Sequence, residues 1–501
     1  MPLAIDDHRL SKTPMAVMTI AAAVIGSVSG YAVVKDPRLA LVGSLAAVFL
    51  VAYWHYPPIA IHAALASATL TLPTSIPLAL HPFGLTVTVW DLLIPLALVE
   101  VYRKMRPPPV VSRGVVVLGT AWLVSTLFGW HQGNDVTYWF LESRVQLVFI
   151  AAFYIGAGVA YAGRLREFRT TFLAVLWISA PLLLLSALSI GPALLGRRTT
   201  ASLNGDSTDV ARLLTNSQFA ALTALCVCLG LLAIGHVKLS TILPYLAPSV
   251  LIVFLSFSRN TLIAVAISLV VVAIGRRLTL RPIATVIAVT IGVGLVGAFT
   301  LWASAGTDVG TFMQSQVDAY KSRVLLGAEG DALSADKSAQ ARLIEDSNLI
   351  DKFQQSPIVG HGFGFAYQDP SGTSEFTQTL GRYYAHNFYL WLLVKSGLVG
   401  MAAFIFAAVW PLISALRQKN ISAPALVATA FGLLGVSYVA PLPSESPSSL
   451  IIGTVIGIAV GASSRRAASD RCPIDISAQA ELGCHHPTRL PTTAKAPTLI
   501  L

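Results

Sequence analysis

The stretch SQFAALTALCVCLGLLAIG, residues 217–235, holds no charged side chain, and a second apolar stretch, Thr241 to Phe257, follows just beyond Lys238. A helix needs roughly 20 mainly apolar residues to cross a bilayer, where no water can take up free backbone N–H and C=O groups. Working outward in both directions, runs near that length recur from Pro14 to Gly461, interrupted mainly by short charged or proline-bearing connectors. The chain of 501 residues is 55% hydrophobic and 12% charged, with a mean hydropathy of +0.70, too apolar for a soluble domain. The expected fold class is an all-α polytopic membrane protein of about 12 to 14 transmembrane helices with one large extracytoplasmic loop.

The net charge of +10 does not point to nucleic acid, because the basic residues form no aromatic-interleaved stripe. They sit in connectors: Arg103, Lys104, Arg106 and Arg113; Arg164, Arg166 and Arg169; Arg276, Arg277 and Arg281; Arg417 and Lys419. Counting spans puts these on one side, and the positive-inside rule makes that side the cytoplasm. The domain reading is then a cytoplasmic segment 1–13, transmembrane helices over 14–302, a large extracytoplasmic loop over 303–385, further transmembrane helices over 386–462, and a cytoplasmic, disordered tail over 463–501. The first apolar run, Pro14 to Val34, exceeds a signal-peptide core and reads as a retained anchor. Cys226 and Cys228 lie within a span and Cys472 and Cys484 in the tail, so free thiols are expected. Cys484, His485 and His486 lack zinc-finger spacing.

Within the long loop, Ser338 to Gln354 reads as a helix, with Leu343, Leu349, Ile350 and Phe353 as apolar positions. An ordered cap over the membrane domain is expected. Among residues that carry chemistry, Asp91 is the chief acid inside a span, thin support for an ion pathway. Arg259, in Ser256-Phe257-Ser258-Arg259-Asn260, lies at the junction of two spans on the outer face. It is either a snorkelling side chain on lipid headgroups or a functional cation. Arg342 opens the loop helix, where Asp346 four residues on can form a helix-face pair. After Pro357 comes Gly360-His361-Gly362-Phe363-Gly364, either an anion-binding run of N–H groups or a set of tight turns. His386, followed by Asn387, stands where the loop re-enters the membrane, on a face shared with Tyr389, Leu390 and Leu393. An imidazole, with an unperturbed pKa of about 6.5, suits proton transfer near neutrality; packing at the interface is the other reading.

Taken in order, Ser258-Arg259 at a span junction, Arg342 on a loop helix, the turn from Pro357 to Gly364, and His386-Asn387 leading to Gly397-Leu398-Val399-Gly400 resemble the O-antigen ligase and O-antigen polymerase superfamily of bacterial envelope glycan transferases. The resembling motifs cover about a third of the chain, and Lys395 departs from the family pattern, where an acidic or neutral residue is expected. The resemblance implies a GT-C-like membrane glycosyltransferase of the cell envelope, multi-pass in the cell membrane, with its active site on the periplasmic or extracytoplasmic side. It implies transfer of a glycan from an undecaprenyl-type polyprenyl diphosphate carrier to the hydroxyl of a glycolipid or glycan acceptor, as in lipopolysaccharide and other polysaccharide biosynthesis. Arg259 and Arg342 would hold the diphosphate and His386 would activate the acceptor, with Ser258, Asn387, Gly360 and Gly362 in support. Membrane lipids are the other partners implied; nucleic acid is not.

The chemistry agrees with these roles, since guanidinium forks fit phosphate and stabilise the charge that develops on the leaving diphosphate. The outer loops hold no Asp-x-Asp motif, and Asp206 and Asp209 are the nearest acidic pair. A reaction without metal or cofactor is therefore expected. A polymerase with the same donor chemistry is the near alternative. A polyprenyl-glycan or anion transporter is the alternative from another class, and it predicts ionisable groups lining the spans.

Overall fold

A computed structural model describes residues 37–74, 76, 79–80, 87–191, 193–194, 197–200, 211–235, 237–275, 292, 302–304, 306–321, 337–370, 378–417 and 423–471. The segment 1–13, the anchor Pro14 to Val34, the pair Asp206 and Asp209, nearly all of the expected span Pro282 to Trp302, and the tail from Cys472 lie outside the described residues.

The first helices are α1 (Pro37–His55), α2 (Ile59–Thr69), α3 (Val89–Lys104), α4 (Pro109–His131), α5 (Val136–Tyr161) and α6 (Leu165–Ala187). They are followed by α7 (Ser217–Ile234), α8 (Leu239–Ser256), α9 (Asn260–Gly275), α10 (Asp308–Tyr320) and α11 (Lys337–Gln355). The last are α12 (Phe388–Phe404), α13 (Trp410–Leu416), α14 (Ala423–Val436) and α15 (Ser446–Arg471). Among the described residues two antiparallel strand pairs accompany them, β1 (Ala79–Leu80) with β2 (Val87–Thr88), Ala79 opposite Thr88, and β3 (Arg197–Thr200) with β4 (Ala211–Leu214), Arg197 opposite Leu214. Among the described residues, seven helices are long and apolar enough to cross a membrane, the longest being Phe388–Leu416, and four further apolar helices are shorter.

The stretch 217–235 is α7, and it stops at Gly235, whose φ of +79° lets its N–H bond back to the carbonyls of Leu231 and Leu232. α5 starts at Val136, well before the apolar stretch that begins at Val145, because Asp135 caps it by accepting from Thr137 N at 2.9 Å and Tyr138 N at 3.1 Å. The extra turns carry Glu142 and Arg144, and both charges are matched. Arg144 donates to Asp91 Oδ2 at 3.1 Å, and Glu142 accepts from Lys395. Asp91 also accepts from Thr88 N–H at 2.7 Å, closing a capping box at the start of α3. α5 thus begins with two charged side chains ahead of its apolar stretch, Glu142 and Arg144, each tied to a partner.

α5 and α15 form the central pair. Gly156 on one, and Gly453, Gly457 and Gly461 on the other, face backbone across the seam, where any Cβ would strike carbonyls of the opposite helix. Small residues allow this approach, and close packing holds helices together where lipid offers no hydrophobic drive. A column of rings runs beside it: Trp122 lies 5.8 Å from Phe149, Phe149 lies 5.8 Å from Phe404, and Phe404 lies 5.3 Å from Phe388.

α11 docks on this core through Leu349, fully buried, and Phe353, half-buried; Leu343 and Ile350, the other two apolar positions, are exposed. The buried stripe is instead Glu345 and Leu349, with half-buried Arg342 at its head, spaced by three and four residues.

Candidate active site

Helix α12 begins at Phe388, because the Asn387 side chain accepts from Tyr389 N at 3.2 Å and Leu390 N at 3.3 Å. His386 therefore precedes the helix and does not share its face with Tyr389, Leu390 and Leu393. That freedom lets it turn to α11. Its Nδ1 lies 3.0 Å from Glu345 Oε2, and its backbone N–H donates to the other oxygen of the same carboxylate. Glu345 is nearly buried, whereas the His386 side chain is 31% exposed. A carboxylate on Nδ1 selects the tautomer with the proton there and leaves Nε2 as the basic nitrogen. The ring meets Tyr384 edge-on at 5.2 Å.

Arg342 lies one turn before Glu345 on the same helix face, and its charge acts on both Asp346 and Tyr384. It makes no ion pair with Asp346 among the described residues; the Asn387 side chain also acts on the Asp346 carboxyl. Burial, with the neighbouring Glu345 charge, pushes the Asp346 carboxyl up, opposed by the Asn387 side chain and by the charges of His386 and Arg342. Tyr384 donates to Glu445 Oε1 at 3.1 Å. Burial raises the Glu445 carboxyl, with the Tyr384 bond and the His386 charge holding it down. One guanidinium, one imidazole and three carboxyls thus surround the point where the loop returns to α12.

Arg259 reaches this end of the molecule from another helix pair. α9 runs antiparallel to α14, with Ser268 Oγ donating to Ala428 O at 3.1 Å and Ala264 backing Gly432. The start of α9 therefore meets the end of α14, whose following residue, Ser437, accepts from Phe388 N at 3.0 Å. Ser258 and Arg259 occupy the break between α8 and α9, which Phe257 makes with a φ of +46°. Ser258 is buried and Arg259 half-buried. Arg212 on β4 donates to Ser256 O at 3.1 Å, so a second guanidinium supports the same break.

The glycine run has its donors engaged. The N–H of His361 goes to Val394 O at 2.8 Å, that of Gly362 to Lys395 O at 2.9 Å, that of Phe363 to Ser125 O at 3.2 Å and that of Gly364 to Glu142 Oε2 at 2.6 Å. Gly360 and Gly362 have φ of +70° and +80°, and a Cβ on either would strike the backbone of Lys395 or Gly129. The turn is thus a backbone wedge. Leu398 N and Val399 N leave the α12 ladder to bond the carbonyls of Pro357 and Ile358, across a break at Gly397 with φ +62°. The Pro-Gly turn and the Gly397–Gly400 segment are two sides of one joint. Its bolt is Lys395, fully buried, which donates to Glu142 and to Phe365 O at 2.7 Å.

The sequence motifs did not single out Glu345, Glu445, Tyr384 or Arg212. For Glu345 a signal exists, since Arg342, Glu345 and Leu349 form a helical stripe. Glu445 and Arg212 come from distant connectors with no such pattern. Among the described residues, no three His, Cys, Asp or Glu side chains converge as metal ligands would.

A comparison with curated proteins found no match. Residues 244–405, from within α8 to just past α12, contain Arg259, Arg342 and His386 and match the model of the O-antigen ligase family, so this part of the chain is similar to that family.

Proposed function

We propose that the chain transfers a glycan from a polyprenyl diphosphate carrier to an acceptor hydroxyl, with the reaction at the extracytoplasmic face of the cell membrane. The observation that carries this reading is the His386–Glu345 pair beside Arg342, with α12 joined through Ser437 to the end of α14, which the start of α9 behind Arg259 also meets. Glu345 orients the imidazole, and Nε2 takes the proton as the acceptor oxygen bonds the anomeric carbon. The bond from that carbon to the diphosphate oxygen breaks, and its electron pair leaves with the diphosphate. Arg342 and Arg259 hold the diphosphate and offset the charge it gains, doing the electrostatic work a metal does elsewhere. Asn387 sets the helix start that frees His386, Ser258 shapes the break that presents Arg259, and Gly360 and Gly362 seat the wedge.

The test is reconstitution in proteoliposomes with a polyprenyl diphosphate glycan and a glycolipid acceptor, with and without chelator. A new glycosidic bond formed equally in both, and lost with His386→Gln, is the expected result. Glycan movement across the bilayer without a new bond would overturn the proposal, as would products formed only with divalent metal overturn the role given to the arginines. Offering a second lipid-linked glycan as acceptor separates ligation from polymerisation.

A further inference from the structure

Away from this site, a groove of about 890 Å³ runs between α3 and α5, touched by α4 at Val115. Ile94, Leu98, Leu147, Val148 and Ala151 form its apolar length. Asp91 and Arg144 stand at one end; at the other, Tyr102, Arg103 and Tyr154 also line a second cavity of about 490 Å³, which adds Arg106 and Ser112. From Asp91 to Arg103, α3 rises about 18 Å at about 1.5 Å per residue, close to the depth of one hydrocarbon leaflet. Leu147 and Tyr102 are 65% and 72% exposed, so the groove opens sideways to whatever surrounds the helices.

The two ends differ electrically. Arg144 is matched by Asp91 and reaches Ser446 Oγ at 3.4 Å, next to Glu445 and so to the Tyr384–His386 cluster. Arg103 and Arg106 have no acidic partner among the described residues, since Glu100 takes Lys104 at 3.2 Å. Arg106 is held by a backbone turn with φ +37° directly before Pro107. The unmatched positive charge therefore lies at the end far from His386, with tyrosines and Ser112 beside it. A diphosphate donor positioned for His386 would place its charge at the other end.

We propose that this groove binds one anionic glycerophospholipid of the leaflet opposite the active site, its phosphate on Arg103 and Arg106 and its acyl chains along the α3–α5 stripe. Two arginines at an anionic lipid, each contributing about 5.5-fold, give about a 30-fold preference over a zwitterionic lipid.

Native mass spectrometry of the delipidated, purified full chain, titrated with phosphatidylglycerol, phosphatidylcholine or polyprenyl phosphate, tests this. One retained phosphatidylglycerol, bound about 30-fold more tightly than phosphatidylcholine, is expected. R103Q/R106Q should bring it to the phosphatidylcholine level, and Leu147→Trp, which fills the groove from its exposed side, should weaken both lipids. Equal retention of the two phospholipids, or a preference that survives R103Q/R106Q, would overturn the proposal. So would displacement of phosphatidylglycerol by equimolar polyprenyl phosphate, which would make the groove the donor's. A disulfide in native membranes between Leu147→Cys and a cysteine placed in residues 14–34 would show the chain's own apolar run in the groove, with the same consequence.

Discussion

Two glutamate pairs lie nine residues apart along the re-entry segment, and they are built for opposite ends. At Lys395 the ammonium is fully buried, donates to Glu142 and Phe365 O, and lies 5.6 Å from the Trp391 ring and 5.8 Å from the Tyr383 ring. Every direction around it is used. At His386 the glutamate takes only Nδ1 and the backbone N–H, and the ring stays 31% exposed, with Arg342 near by. The same element pairing thus yields a bolt in one place and an oriented base with a free face in the other. Burial of the cation, more than the presence of an acid, separates them.

The sharpest way to break this comparison is His386→Gln. Turnover should fall by about 10²- to 10⁴-fold in proteoliposomes, with donor retention and melting temperature unchanged. Near-normal turnover would make His386 another bolt.

Lys395→Met should do the reverse, costing about 3–5 kcal/mol of stability because Glu142 is left buried and unmatched. Adding Glu142→Gln, which keeps an acceptor for the Gly364 N–H, should restore most of the melting temperature. A Lys395→Met protein that melts normally but does not turn over would move Lys395 into the chemistry.

Arg342→Ala and Arg259→Ala should each cost about 1.5–3 kcal/mol in donor binding and turnover together, the value of one charge-assisted contact. Lysine at either position should rescue only in part, for lack of the planar fork. A loss of turnover with donor retention intact would contradict the diphosphate role. Glu345→Gln should lower turnover by about 10- to 100-fold without loss of donor binding, because an amide on Nδ1 no longer selects the tautomer.

The smallest effect is expected at Glu445. Burial raises its carboxyl, so the stability it contributes is present below the ordinary glutamate value and is lost as pH rises through the raised one. Glu445→Gln lacks that loss, so its melting temperature relative to wild type should climb between pH 5 and pH 8. A constant difference across that range would show that the carboxyl titrates normally.

Much of this architecture is written locally. Apolar runs such as 217–235 mark helices because a bilayer leaves the backbone no other partners, and that property belongs to each segment alone. The loop helix, the stop at Pro357 and the order of Arg259, Arg342 and His386 are legible for the same reason, as is the family match over 244–405. Helix limits were less legible where charges are neutralised at a distance, as for Glu142 and Arg144 in α5.

A series of apolar helices, the helix that carries Arg342 and the identity of the charged residues around His386 can all be read from the linear order of residues. Which charge meets which is settled only in three dimensions. Glu345 stands 41 residues from His386, and Glu142 stands 253 residues from Lys395. Local periodicity sets Glu345 on the stripe of Arg342 and Leu349 but does not name the charge it meets, and nothing local distinguishes Lys395 from a snorkelling lysine. Pairing across such separations follows from how helices pack, and packing sets the burial that makes one glutamate a bolt and the other the orienting partner of a base.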